Sequence, residues 1–310
     1  AATSGRLMRD VGQHTIFLTL AGSQAHGTAR EGSDVDLRGV CVAPMDVRLS
    51  LFSRFEQHEG PLDPSLEAQI LPKLRAREST SHGLDVKLEC VVYDVAKFLS
   101  LCAAANPSAL ELLFSEESDW LVCTPAWRTL HAERHRFLTR AVQQTFMGYA
   151  QAQLKRIEGH RAWLRDPPSG PPQRSEFGFP EDPTAARDAG QRFRAAQRRW
   201  ASYVTWSERR NPSRAALERA HGYDTKHAMH LVRLMRMGVE ALAHGDLRVR
   251  REDADSLLAI RDGALSFDEL LAETARLTFE MERAARTTAL PETVDMEAVD
   301  ALALSLMVPS

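Results

Sequence analysis

The chain has 310 residues, 44% hydrophobic and 26% charged, with 39 Lys and Arg against 42 Asp and Glu for a net charge of -3. These values fit a globular protein of one or two domains and exclude collagen-like, mucin-like and wholly disordered chains. No window reaches the ~18 consecutive apolar residues of a membrane-spanning helix, and the near-neutral balance does not by itself advertise nucleic acid.

Residues 13–20 (QHTIFLTL) form a β-rich apolar run ending at Gly22-Ser23. Residues 34–42 (DVDLRGVCV) alternate polar and apolar, as a half-buried strand does, and stop at Pro44. Residues 43–83 separate this strand from the next, and 56–83, poor in apolar residues and rich in Pro, Glu, Arg and Ser, mark that stretch as an exposed insertion. A third strand is predicted over 84–93 (LDVKLECVVY), where Asp85, Lys87 and Glu89 share a face. From Asp94 the period becomes helical, with Asn106-Pro107 dividing two helices. Helical patterning then continues over 126–164, 186–207, 213–220, 225–244, 252–261, 266–286 and 295–307, interrupted by a Pro/Gly-rich loop at 166–183. The expectation is an α+β fold: an N-terminal unit over 1–124 with a mixed sheet, then an α-helical domain over 125–310. Cys41, Cys90, Cys102 and Cys123 are far apart among apolar neighbours, which reads as buried thiols rather than a disulfide frame or zinc site. With an opening AATSGRLMRD that lacks a hydrophobic leader, a cytoplasmic location is the expectation.

One stretch carries chemistry: Ala21 to Gly39, AGSQAHGTAREGSDVDLRG. A strand delivers Gly22 and Ser23 onto a tight turn, where glycine lets a phosphate approach the backbone and Ser23 adds a hydroxyl donor. Asp34 and Asp36, two apart on a strand, send both carboxylates to the same face. Paired carboxylates beside a phosphate cradle suit two Mg²⁺ ions.

The order Gly-Ser, Gly27, then Asp34-x-Asp36 resembles the signature of the DNA polymerase β-like nucleotidyltransferase superfamily. The blocks FLSLCAAANPSALELLF (98–114) and GYDTKHAMHLVRLMRMGVEALAHG (222–245), with IRDG (260–263) and LPETVD (290–295), resemble its RNA-repair-associated, RlaP-type branch. The resemblance implies an enzyme that transfers an NMP from an NTP to an acceptor hydroxyl and releases pyrophosphate. Asp34 and Asp36 would hold two Mg²⁺ ions, with Mn²⁺ as the alternative, and a third carboxylate would come from the later strand. Glu89 is favoured for that place and Asp85 is its rival. An RNA 3′ end is the implied acceptor; a protein or small-molecule hydroxyl, or a catalytically silent nucleotide or RNA sensor, are the alternatives.

Further along, Lys226, His230 and Arg233 recur at i, i+4 and i+7, a basic helix face that suits a triphosphate or an RNA backbone, though such faces also serve as solvated surface. Lys226 is the favoured phosphate contact. Residues 187–250 hold 14 Lys and Arg and 6 Asp and Glu, a local net of +8. Trp200, Tyr203 and Trp206 are spaced three apart there, a pattern of helix cores more often than of base-stacking platforms. His131 and His135 have metal-ligand spacing, but HAERH lacks the H-E-x-x-H order and reads as a solvated pair.

Overall fold

The computed structural model describes residues 11–51, 55–77, 88–179, 183–208, 210 and 212–308, the side chains of Glu89, Pro183 and Ser213 excepted. Its chain divides into two compact units, one of residues 1–150, 232–258 and 273–310, the other of 151–231 and 259–272.

The first unit is built on a mixed five-stranded sheet in the order β3-β4-β2-β1-β5. Strand β1 (Thr15–Leu20) runs antiparallel to β2 (Asp36–Cys41) on one side and to β5 (Trp120–Cys123) on the other. Strand β4 (Glu89–Asp94) lies parallel to β2 and antiparallel to β3 (Gln57–Pro61). The parallel pair needs a crossover, because two parallel strands share no hairpin. That connection carries α2 (Met45–Arg48), β3 and α3 (Pro64–Arg75), after the short helix α1 (Gly22–His26) has linked β1 to β2.

Residues 57–75 therefore correct the expectation of an exposed insertion. β3 is the sheet edge, and Leu66, Ile70 and Leu74 of α3 enter the core beside Leu18, Leu37 and Val92. Three apolar residues four apart suffice to seat a helix, even with Pro64 at its first turn and Pro72 inside it. The expected strand 84–93 is present as 89–94, its residues 84–87 lying outside the described ones.

Asp94 ends β4 and caps α4 (Val95–Ala103), accepting from Ala96 N at 3.0 Å, Ala43 N at 3.1 Å and Arg48 at 3.2 Å. Asn106 caps α5 (Pro107–Leu113) through Ala109 N, with proline at the first turn. Trp127 of α6 (Pro125–Ala132) lies flat on Phe17 at 3.6 Å between ring centres, closing the core beneath β1.

The remaining helices are α7 (Ala141–Arg165), α8 (Pro183–Glu208), α9 (Pro212–His221), α10 (Thr225–His244), α11 (Ala254–Arg261), α12 (Phe267–Thr287) and α13 (Met296–Met307). The second unit is helical, with a core around Ile157, Ala189, Tyr223 and Leu270; the Tyr223 hydroxyl donates to Leu265 O at 2.6 Å. Trp200, Tyr203 and Trp206 are half-buried rather than core. Cys41, Cys90 and Cys102 are buried free thiols and Cys123 is half-buried. Among the described residues no helix is long and apolar enough to cross a membrane.

Candidate active site

Ala21 follows β1, and its N–H donates to Asp36 O at 2.9 Å and ties the chain to the first residue of β2. Gly22 then adopts φ +57°, and a Cβ built on it would stand 2.4 Å from Asp36 Oδ2. Only glycine lets the backbone pass this close to the carboxylate. Helix α1 lasts five residues because Gly27 turns left-handed, its N–H and that of Thr28 returning to Gln24 O and Ser23 O. Ser23 is half-buried on this helix.

Asp34 and Asp36 are exposed while Val35 and Leu37 between and after them are buried. The strand expected over 34–42 begins only at Asp36, so Asp34 lies in the segment that leads into β2, exposed like Asp36. In the parallel ladder, position 36 pairs with position 89. Gly22, Asp36 and the backbone of Glu89 are thus adjacent in the first unit, and Asp34 stands two residues from Asp36. Asp85 lies outside the described residues.

Helix α10 contributes to both units. Lys226 and His230, both half-buried, fall in the second. Arg233 falls in the first and is only 6% exposed, its Nη1 donating to Glu111 Oε1 and touching Met237 Sδ. Its guanidinium is committed to a carboxylate, so Arg233 does not form an open basic face with the other two.

Glu111 joins Arg233 to His26, whose Nε2 is 3.2 Å from Glu111 Oε2. Burial alone pushes Glu111 up, but Arg233 and His26 outweigh it and hold the carboxyl well below the usual range. Burial, helped by Arg233, pulls His26 below its ordinary value, so its ring is neutral at pH 7 and donates from Nε2 to the carboxylate. Arg251 N donates to His26 O at 3.1 Å, and Arg251 itself grips Glu240 with two bonds of 2.6 Å. Arg250 grips Asp119 at 2.7 and 2.8 Å. These charged groups brace the end of α1. Sequence reasoning missed them, although a glutamate between Leu110 and Leu112 on a short apolar helix was a signal that Glu111 has a buried partner.

A second cluster lies in the other unit. Asp224 is fully buried at the start of α10, its Oδ1 accepting from His227 N at 3.1 Å. Its Oδ2 faces His160 Nδ1 at 3.4 Å, His227 Nε2 at 3.6 Å and the Arg214 guanidinium. Burial works against the Asp224 charge, yet His160, His227 and Arg214 together hold the group well below the carboxylate range. Burial pulls His227 down to about 4. His131 is no solvated histidine: its ring meets Trp120 edge-on at 4.9 Å.

A mixed sheet with a glycine turn against paired strand carboxylates is the arrangement of a polymerase-β-like nucleotidyltransferase. Residues 5–305 match the RNA repair pathway DNA polymerase beta family, RlaP, and the chain belongs to that family. No curated protein matches it.

Proposed function

We propose that the chain is a Mg²⁺-dependent enzyme that joins an NMP from an NTP to the 3′ hydroxyl of an RNA and releases pyrophosphate. The carrying observation is the closeness of Gly22 to Asp36, where the place of a Cβ falls 2.4 Å from Oδ2. Membership of the RNA repair family supports the substrate class.

The donor set suits a hard divalent cation, since Asp36 opens β2 and Asp34 lies two residues before it, both exposed carboxylates. Bound there, Mg²⁺ or Mn²⁺ would offset phosphate charge and acidify the acceptor hydroxyl. Gly22 leaves the backbone bare for the β- and γ-phosphates, and Ser23 donates its hydroxyl to them. Glu89, as register partner of Asp36, takes the proton of the 3′ hydroxyl. The 3′ oxygen bonds to the α-phosphorus as the bond to the β-phosphate oxygen breaks, and the leaving group departs as pyrophosphate.

Incubation with α-³²P-labelled NTPs, Mg²⁺ and RNA, DNA, protein and small-molecule acceptors tests this. Label should enter RNA, and Asp34→Ala with Asp36→Ala should abolish it without unfolding the chain, because exposed carboxylates contribute ~0–1 kcal/mol to stability. Unchanged turnover in the double variant removes the reading, and label entering only protein or a small molecule changes the acceptor.

A further inference from the structure

The second unit contains a cavity of about 740 Å³, inside the ~300–1,000 Å³ range of small-ligand sites. Helix α7 lines it with Lys155, Arg156, Gly159 and Trp163, which recur on one helical face. Trp206 of α8 and Arg210 line it as well. The Trp163 and Trp206 ring centres are 5.3 Å apart at an interplanar angle of 45°, and the Arg210 guanidinium stands 4.2 Å over Trp206.

The chemistry of these walls is specific in sign. Arg210 and Arg214 are balanced by Glu218 and Asp224. Lys155 and Arg156 are exposed and make no ion pair among the described residues, which leaves the cavity a positive surplus. Trp206 Nε1 and Arg210 Nε are buried donors without an acceptor among the described residues. A buried donor left without an acceptor is costly, so a ligand that brings acceptor oxygens is favoured. Two half-buried indoles add flat apolar surface for a planar ring.

A metal ion is the competing occupant, because ligand atoms of His160, Asp224 and His227 lie within 4.8 Å of one another. The Arg214 guanidinium, however, holds the same Asp224 oxygen that both imidazoles face. A cation entering there must displace a cation. An anion meets no such cost.

We propose that this cavity is a nucleotide-binding pocket, separate from the transfer site, with a base against Trp163 and Trp206 and a phosphate on Lys155, Arg156 and Arg210. It stands on residues of the second unit alone and does not depend on the transfer reaction. Its ligand chemistry, a phosphate joined to an aromatic base, is available from a free nucleotide or from the end of an RNA strand.

Gly159 makes the test clean. A Cβ added there meets nothing within 4 Å, so Gly159→Leu fills the cavity, while both leucine and alanine favour the helix over glycine. The full chain is titrated calorimetrically with AMP in EDTA, which keeps divalent ions from the carboxylate site. One AMP should bind per chain, more tightly than adenosine or inorganic phosphate. Arg156→Ala should weaken it about tenfold, the value of one charge-assisted hydrogen bond. Gly159→Leu should abolish it. Gly159→Ala, and Asp34→Ala with Asp36→Ala, should retain it, which separates this site from the transfer site. A 5′-phosphorylated RNA that displaces AMP assigns the pocket to a strand end, and one that does not assigns it to a free nucleotide. No AMP binding, AMP affinity equal in Gly159→Leu and the unsubstituted chain, or Zn²⁺ binding lost in His160→Ala without any AMP binding overturns the proposal.

Discussion

Asp36 and Glu89 are register partners across the parallel pairing of β2 with β4. Neighbouring strands stand ~4.8 Å apart, so the backbone of Glu89 runs directly beside that of Asp36. Glu89→Gln keeps shape and removes the proposed base. Its turnover should fall by ~10²–10⁴, the range of general-base losses, with little change in NTP affinity. Single-turnover kinetics with labelled NTP measure both. If Asp85→Asn loses that factor and Glu89→Gln does not, the proton goes to Asp85.

Gly22 and Gly39 separate activity from stability. Gly22→Ala places a Cβ 2.4 Å from Asp36 Oδ2 at a φ of +57°. The exposed carboxylate can swing aside, so the variant should fold with a loss of ~1–2 kcal/mol from the left-handed backbone. Transfer should nonetheless drop by at least tenfold as Asp36 leaves its place. Gly39→Ala meets Phe17 O, a backbone atom, also at 2.4 Å. That carbonyl lies inside the sheet and has nowhere to go, so the expected effect is a lower unfolding midpoint. Equal loss of transfer in the two variants, once corrected for folded fraction, would sink the distinction.

Strands β1, β2 and β4 were legible because each shows an apolar run or period-two alternation long enough to stand out, as in Asp34-Val35-Asp36-Leu37. β5 was not, since Trp120–Cys123 is four residues long and gains its identity from pairing with β1. Residues 57–75 looked exposed because charged residues and three prolines dilute Leu66, Ile70 and Leu74, whose spacing carries the helix. The glycine turn and paired aspartates were legible as a local motif. His26, Glu111 and Arg233 meet across separations of 85 and 122 residues, and no local pattern encodes such a meeting. The face of Lys226, His230 and Arg233 was read by helical spacing alone, which gives direction but not the carboxylate that occupies Arg233.

Glu111 and Arg233 form a pair whose loss should be asymmetric. Glu111→Ala leaves the Arg233 guanidinium, 6% exposed, without its counter-charge. Breaking one side of a buried pair costs ~3–5 kcal/mol, whereas replacing both sides by apolar residues is often near neutral. Glu111→Leu with Arg233→Met should therefore be more stable than Glu111→Ala alone, as read from urea midpoints. A double variant as unstable as the sum of its two single changes would mean the two side chains are not coupled, and the asymmetry fails.

His227 sets a pH dependence for the helical unit. Burial lowers it to about 4 from an ordinary 6.5, with Arg214 and Arg156 adding to burial and Asp224 opposing it. Between these two values the unfolded chain carries a proton on this ring that the folded chain does not. Stability thus rises with pH across that window, is fully present above about 6.5, and is lost as pH falls toward 4. A shift of that size corresponds to up to about 3 kcal/mol. Asp224, held low by the same neighbours, stays ionised throughout this window and does not reverse the sign. His227→Gln removes the titrating ring, so its urea midpoint should decline less between pH 7 and pH 4.5 than that of the unsubstituted chain. A residual slope should remain in the variant, because His26 is also lowered by burial. Chains with and without His227 that lose stability in parallel would place the titration elsewhere.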